Sequence, residues 1–366
     1  MKKITLEVLQ TIFDYGYEAY AVGGYVRDFL LDIKSNDIDI TTNATPMELK
    51  NIFPDISIPK KNYGSTTLIY KNVRFEITTY RKETGYSDNR HPERIEYVND
   101  LKTDLLRRDF TVNTICMDKD GNIIDLLNGT IDLEDRVLRT VANSDKSFKD
   151  DALRILRAIR FSTTHNFKLD NSIIEAINNN KLLLKKLSYE RKKDELDHIF
   201  ASCNAKYGID LLKELDLCEV LELSNIERIK DYSDLIGIWA MINPINYNFN
   251  NSLKELIKKV NVVYNLDNLD KFVLYKYGLY VNVLAGLNKG LNKKKISEIY
   301  QNLPIHDRSD IVINANKICE ILERKPDSFI NDIYLDLEKL ILNNELENSE
   351  DKIIEYVIKK YKVKAR

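Results

Sequence analysis

β-rich runs with alternating apolar and polar positions fall early in the chain. They include EAYAVGG (18–24), NDIDITTN (36–43) and STTLIYKNVRFEITTYR (65–81). A period of two marks half-buried strands. The last run predicts a hairpin turning at Lys71-Asn72, and TVNTICMDKDGNIIDLLNG (111–129) predicts another turning at Asp120-Gly121. Between the first two strands, YVRDFLLD (25–32) is spaced as a helix, and beyond about residue 145 helical spacing continues to the C-terminus. Glycine and proline agree with this division. Seven of 12 glycines and four of seven prolines precede residue 130, and none of either occurs between Gly129 and Gly208. The pattern predicts an α+β chain, a mixed-sheet N-terminal part followed by an all-helical remainder.

Composition narrows the class. The 366 residues suffice for two or three domains, and 43% hydrophobic with 31% charged residues describes a globular protein. No apolar run approaches the roughly 18 residues of a membrane span, and the start lacks a signal-peptide core, so we expect a cytoplasmic protein with no membrane partner. Cys116, Cys203, Cys218 and Cys319 form no CxxC pair, and the four histidines are scattered. These spacings disfavour a zinc site or a disulfide framework. Net charge is −2, so any nucleic-acid contact must come from local basic patches.

Candidate chemistry starts at NDIDIT (36–41). On a strand, Asp37 and Asp39 share a face at ~7 Å spacing while Ile38 and Ile40 enter the core. Two like charges there read either as a solvated strand end or as a site for divalent metal. An EF-hand is excluded, since the glycine and glutamate of that loop are missing. Upstream, VGGYVRD (22–28) sets two glycines between a strand and a helix, where backbone N–H groups can cradle phosphate. It has neither the GxGxxG nor the P-loop pattern. A phosphate turn a helix away from two metal-ready carboxylates is the layout for phosphoryl or nucleotidyl transfer.

RRDFTVN (107–113) adds adjacent arginines able to neutralise phosphate. In DDALRILRAIRF (150–161), Ala152, Ile155, Leu156 and Ile159 gather on one helical face. Asp151, Arg154, Arg157 and Arg160 advance by threes along another. The single nearby acid leaves a positive surplus that suits a triphosphate, although an amphipathic helix with i,i+3 ion pairs would look the same.

VGGYVRDFLL, NDIDITTNATP, RRDFTVN, DLLNGTIDL, RTV, DDALRILRAIRFS and ERKKDEL occur in this order. Together they resemble the bacterial class II tRNA nucleotidyltransferases, the CCA-adding enzymes, which share a polymerase β-like head with bacterial poly(A) polymerases. The quoted motifs span about residues 18 to 200. The resemblance implies a nucleotidyltransferase head over 1–137, a helical neck over 138–200, and a helical body and tail over 201–366 that bind tRNA. It assigns Asp37 and Asp39 to two Mg²⁺ ions, with Glu76 as a candidate third carboxylate. Gly24 and Arg27 match the phosphate turn, Arg108 a nucleotide-contacting arginine, and Asp151, Arg154, Arg157 and Arg160 the helix that grips the nucleotide and reads its base. Asp150 stands where many members carry glutamate.

The implied substrates are CTP, ATP and the 3′ end and acceptor arm of tRNA; the oligomeric state is open between monomer and homodimer. C and A both present an amine donor beside a ring-nitrogen acceptor, so Asp151 can accept from the one and Arg154 donate to the other, whereas G and U leave both unpaired. The stretch 81–106, with Arg90-His91-Pro92, is the length of a full flexible loop, which disfavours CC-only addition; A-adding relatives keep such a loop, and poly(A)-adding relatives are the other near alternative. A silent RNA-binding relative would be expected to lose the two aspartates. Basic stretches at 181–193, 289–295 and 359–366 are candidates for tracking the RNA backbone.

Overall fold

The structure is a computed structural model that describes residues 2–35, 37–59, 64–85 and 94–362. It divides into two compact units, Met1–Glu222 and Leu223–Arg366. The expected head and neck both fall within the first.

The first unit opens with α1 (Lys2–Asp14), β1 (Ala19–Val22), α2 (Gly24–Leu30), β2 (Ile38–Thr42) and α3 (Pro46–Ile52). β3 (Ser65–Tyr70) and β4 (Val73–Thr79) form the expected hairpin. Lys71 and Asn72 carry φ of 48° and 61° at its turn, the left-handed pair that two-residue hairpins favour. β5 (Arg81–Thr84) and β6 (Arg94–Tyr97) pair with each other, and α4 (Leu101–Leu106) follows. β7 (Cys116–Met117) and β8 (Ile123–Ile124) make the second hairpin, shorter than predicted. Thr111–Asn113, read from the sequence as β-rich, is a 3-10 turn. The main sheet has the order β3-β4-β2-β1-β7-β8, antiparallel except for the parallel β2–β4 pair.

Two features of β2 follow from its period of two. Ile38 and Ile40 are 1% exposed, so burying them against the helical layer anchors the strand, each side chain contributing ~1.5–3 kcal/mol. Asp39 is thereby forced to the opposite face, level with Glu76 of β4.

After the sheet come α5 (Gly129–Glu134), β9 (Val137–Leu138), α6 (Ser144–Asp150) and α7 (Leu153–His165). Then β10 (Lys168–Leu169) pairs in parallel with β9, followed by α8 (Asn171–Asn180), α9 (Tyr189–Phe200), α10 (Ala205–Glu214) and α11 (Leu217–Val220). The predicted apolar face is real: Ala152, Ile155, Leu156 and Ile159 are all fully buried.

One expectation about this helix fails. DDALRILRAIRF is not continuous: α6 ends at Asp150, and Asp151 is extended (φ −141°, ψ 102°) before α7 starts. Its carboxylate accepts the Leu153 N–H at 3.0 Å, as a helix-capping aspartate does. A free N-terminal turn needs such an acceptor, so capping overrides continuation, and Asp151 and Arg154 are not i,i+3 neighbours on one helix.

The second unit is helical throughout its named elements: α12 (Leu235–Ile242), α13 (Asn251–Tyr264), α14 (Lys271–Asn288), α15 (Lys293–Gln301), α16 (Ala315–Leu322), α17 (Phe329–Leu342) and α18 (Glu350–Val357). Gly278, at φ 74°, breaks α14. Leu274, Ile296, Ile318, Ile333, Leu337 and Ile353 anchor its core. Among the described residues, no helix is long and apolar enough to cross a membrane.

Candidate active site

A cavity of about 500 Å³ opens in the first unit. Its wall holds Gly23, Gly24, Arg27, Asp37, Asp39, Arg74, Glu76, Arg108, Asp109, Asn113, Arg157, Arg160 and Phe161. Of the nine residues expected at the site, seven therefore come together, including both aspartates. Asp151 and Arg154 do not line it.

The glycine turn lets backbone approach the carboxylates. Gly23 precedes α2 at φ 76° and ψ −138°, a conformation few side chains tolerate. A Cβ there would lie 3.4 Å from an Asp39 carboxylate oxygen and 3.6 Å from an Arg108 nitrogen. Gly24 begins α2, and a Cβ on it would sit 3.5 Å from the Arg27 guanidinium. Arg27, 4% exposed, is held by Asp28 at 2.6 Å and by Asn113 Oδ1 at 2.7 Å.

Asp39 and Glu76 are register partners on parallel strands, and Asp37 lies just ahead of β2. Burial pushes the Asp39 carboxyl up to about 6; nearby Arg108 opposes the rise, and the Glu76 and Asp37 charges add to it. No described residue donates a hydrogen bond to the carboxylate oxygens of Asp37 or Asp39, although the Ser35 hydroxyl donates to the Asp37 main-chain carbonyl at 3.5 Å. Asp37, Asp39 and Glu76 line one cavity, and carboxylate oxygens are the donors a hard divalent cation takes. Among the described residues no three His, Cys, Asp or Glu side chains are grouped closely enough to hold a metal on their own.

The arginines are anchored rather than left in surplus, which corrects the expectation of unpaired charge along α7. Arg157 pairs with Asp109 at 2.7 Å, and Arg160 with Glu195 of α9 at 3.0 Å. The acids come from distant segments, invisible to a count within the helix. Asp109 also accepts from Asn113 at 3.0 Å and from the Phe110 N–H at 2.8 Å. Burial raises its carboxyl, but Arg157, the Asn113 bond and Arg154 outweigh this and hold it far below the usual carboxylate range. Arg108 reaches the fully buried Asp104 at 3.5 Å, which also accepts from Thr41 of β2 at 3.0 Å. Phe161 carries the Arg27, Arg157 and Arg160 guanidiniums 4.9, 5.3 and 4.4 Å from its ring centre. Cation–π attraction there brings three like charges into one wall.

Arg154 donates to Ser147 Oγ at 2.7 Å and to the Arg107 carbonyl at 2.8 Å. Burial raises the Asp151 carboxyl, with Arg154 and Arg157 near enough to oppose the rise. Asp109, Asn113 and Phe161 are site residues that sequence reasoning missed. The first two stood inside the quoted RRDFTVN, four apart, and Phe161 closes the quoted DDALRILRAIRF.

Carboxylates, a glycine turn and anchored arginines around one cavity of a mixed sheet are the parts a nucleotidyltransferase site needs. The model of the poly A polymerase head domain matches residues 19–139, and tRNA nucleotidyltransferase domain 2 matches 245–357. The CCA-adding enzyme of Lactococcus lactis subsp. cremoris (strain MG1363) is 33% identical, covering 96% of this chain and 95% of its own. The chain belongs to the family of CCA-adding enzymes. In fold it matches the Bacillus stearothermophilus CCA-adding enzyme in complex with CTP, with TM-score 0.83 at 24% identity over 99% of this chain and 98% of that one. It also matches the Thermotoga maritima CCA-adding enzyme complexed with tRNA_CCA, with TM-score 0.71 at 20% identity over 97% and 94%.

Proposed function

We propose that this protein adds C, C and A in turn to the 3′ end of tRNA, taking the nucleotides from CTP and ATP and releasing pyrophosphate without a template. The observation that carries the reading is the single cavity in which Asp37, Asp39 and Glu76 face an arginine wall across a glycine turn. Full-length likeness to named CCA-adding enzymes supports the choice of substrates. The reaction belongs where tRNA is processed, the cytoplasm.

Asp37 and Asp39, with Glu76 beside them, would hold Mg²⁺. When bound, the metal pair would activate the 3′-hydroxyl and neutralise charge on the leaving pyrophosphate. The chain's own residues do the positioning. The Gly24 N–H and Arg27 hold the triphosphate at the start of α2. Arg108, Arg157 and Arg160 offset its negative charge, and their buried acids keep the guanidiniums fixed before substrate arrives. Base choice falls to Asp151 and Arg154, which present an acceptor and a donor to the edge shared by C and A. Arg154 would exchange its bonds to Ser147 and the Arg107 carbonyl for the base. Residues 1–137 would carry chemistry, 138–200 nucleotide selection and 201–366 the tRNA contacts.

Offering CTP, ATP, GTP and UTP one at a time to tRNA that lacks its terminal C-C-A tests the reading. Incorporation of C alone is expected. A run of A residues would instead identify a poly(A)-adding relative.

A further inference from the structure

Five arginines line the cavity: Arg27, Arg74, Arg108, Arg157 and Arg160. Four are fixed by a protein carboxylate, namely Asp28, Asp104, Asp109 and Glu195. Arg74 is the exception. It is exposed on β4, and its guanidinium makes no hydrogen bond or ion pair with any described residue.

Its place is set by register. The parallel β2–β4 pairing puts Asp39 opposite Glu76 and Ile38 opposite Phe75; Asp37 and Arg74 each come one residue before that last pair, and both line the cavity. Arg74 and Glu76, two apart, share the cavity face of β4. β2, with its aspartates, lies between β4 and β1 in the sheet. The anchored arginines belong to the β1 side. Arg27 is on α2, which follows β1, and Arg108 is on the segment leading to β7, which pairs with β1. Arg157 is bound to Asp109 of that same segment, and Arg160 shares the Phe161 ring with Arg27 and Arg157.

Nucleotidyl transfer joins the 3′-oxygen of the RNA to the α-phosphorus as the bond to pyrophosphate breaks. The attacking and leaving oxygens stand roughly in line on opposite sides of that phosphorus. With the triphosphate gripped on the β1 side, the RNA end must arrive over β4. We propose that Arg74 is a positioning residue for the attacking strand: its guanidinium binds the phosphodiester that precedes the 3′-terminal nucleotide. This rests on the proposed transfer reaction at the same cavity. Arginine suits the task because its planar fork grips a phosphate through two parallel bonds. With no ion pair to a described residue, it has none to break when RNA binds. A phosphodiester contact carries no base information, so one residue can serve all three successive RNA ends.

The test compares wild type with Arg74→Ala and Arg74→Lys. Fluorescence anisotropy over a salt series measures affinity for tRNA lacking C-C-A, and steady-state kinetics give KM separately for tRNA and for CTP. For Arg74→Ala we expect roughly threefold to tenfold weaker tRNA binding, the scale of one charged contact, and a salt slope lower by about one. KM for tRNA should rise in step while KM for CTP stays within about twofold. Arg74→Lys should recover most of the loss by keeping the charge. The proposal is overturned if Arg74→Ala leaves tRNA affinity and salt slope unchanged, or if KM for CTP rises in place of KM for tRNA. Wild type that adds no C to tRNA would overturn the underlying reaction itself, a result visible before any variant is made.

Discussion

At the scale of single residues, the site combines charges that repel when empty with charges that are paired for life. Asp39 is of the first kind: half-buried beside Asp37 and Glu76, its ionised carboxylate should oppose folding of the metal-free protein. Asp39→Asn should therefore raise the melting stability in EDTA at pH 8 by about 1–3 kcal/mol, the scale of a one- to two-unit perturbation. Adding Mg²⁺ should stabilise wild type and leave the variant unmoved; equal Mg²⁺ responses would contradict the metal assignment. The same loss of charge should abolish chemistry. Asp37→Ala or Asp39→Ala should lower nucleotide addition by at least about 10³-fold, while tRNA binding in a gel-shift stays near wild type. Asp109 is of the second kind. Removing it strands Arg157 in a buried position, so Asp109→Asn should cost about 3–5 kcal/mol. Because its folded carboxyl is held below the ordinary value of 3.8, the wild-type advantage should be full above that pH. It should decline as pH falls through the folded value. Urea unfolding of both proteins at pH 7 and at pH 3 measures this, and an advantage that grows on acidification would refute the pairing.

At the scale of elements, the strands, the glycine turn and the DxD motif were legible in the sequence because each depends on local spacing. Ile38 and Ile40 had to enter the core, so Asp39 had to face outward. What remained hidden depended on partners far along the chain. Arg157 looked like surplus charge because Asp109 is 48 residues away, and Arg160 because Glu195 comes from another helix. The break at Asp151 was hidden for the opposite reason: the competing capping bond is so local that helical periodicity masks it. Arg90-His91-Pro92 and their neighbours lie outside the described residues; the flanking strands β5 and β6 are paired. Arg107 joins Glu83 of β5 to Asp104 of α4. Deleting residues 84 to 92 should give products that stop after CC. Equal loss of C and A addition on a sequencing gel would assign the segment another role. α7 yields a separate expectation. Arg154→Ala should admit G and U faster than it lowers C and A addition, whereas Arg157→Ala should slow all four nucleotides alike.

At the scale of the whole molecule, net charge of −2 makes RNA binding a matter of local patches. Several candidate lysines are already engaged: Lys181 with Asp216, Lys193 with Asp197, Lys360 with Asp336 and Lys362 with Glu323. Such pairs on the surface are weak, and the RNA backbone can displace them at low salt. The proposed function is ordered addition of three nucleotides by one site. Its most direct measurement gives purified protein three tRNAs, ending before C-C-A, after the first C and after the second C, each with CTP alone, ATP alone or both. The account predicts two C residues, one C residue and a single A respectively, with CTP and ATP together completing every end and addition then stopping. Addition of A to the tRNA that lacks all three nucleotides, or failure to add A after the second C, would contradict it.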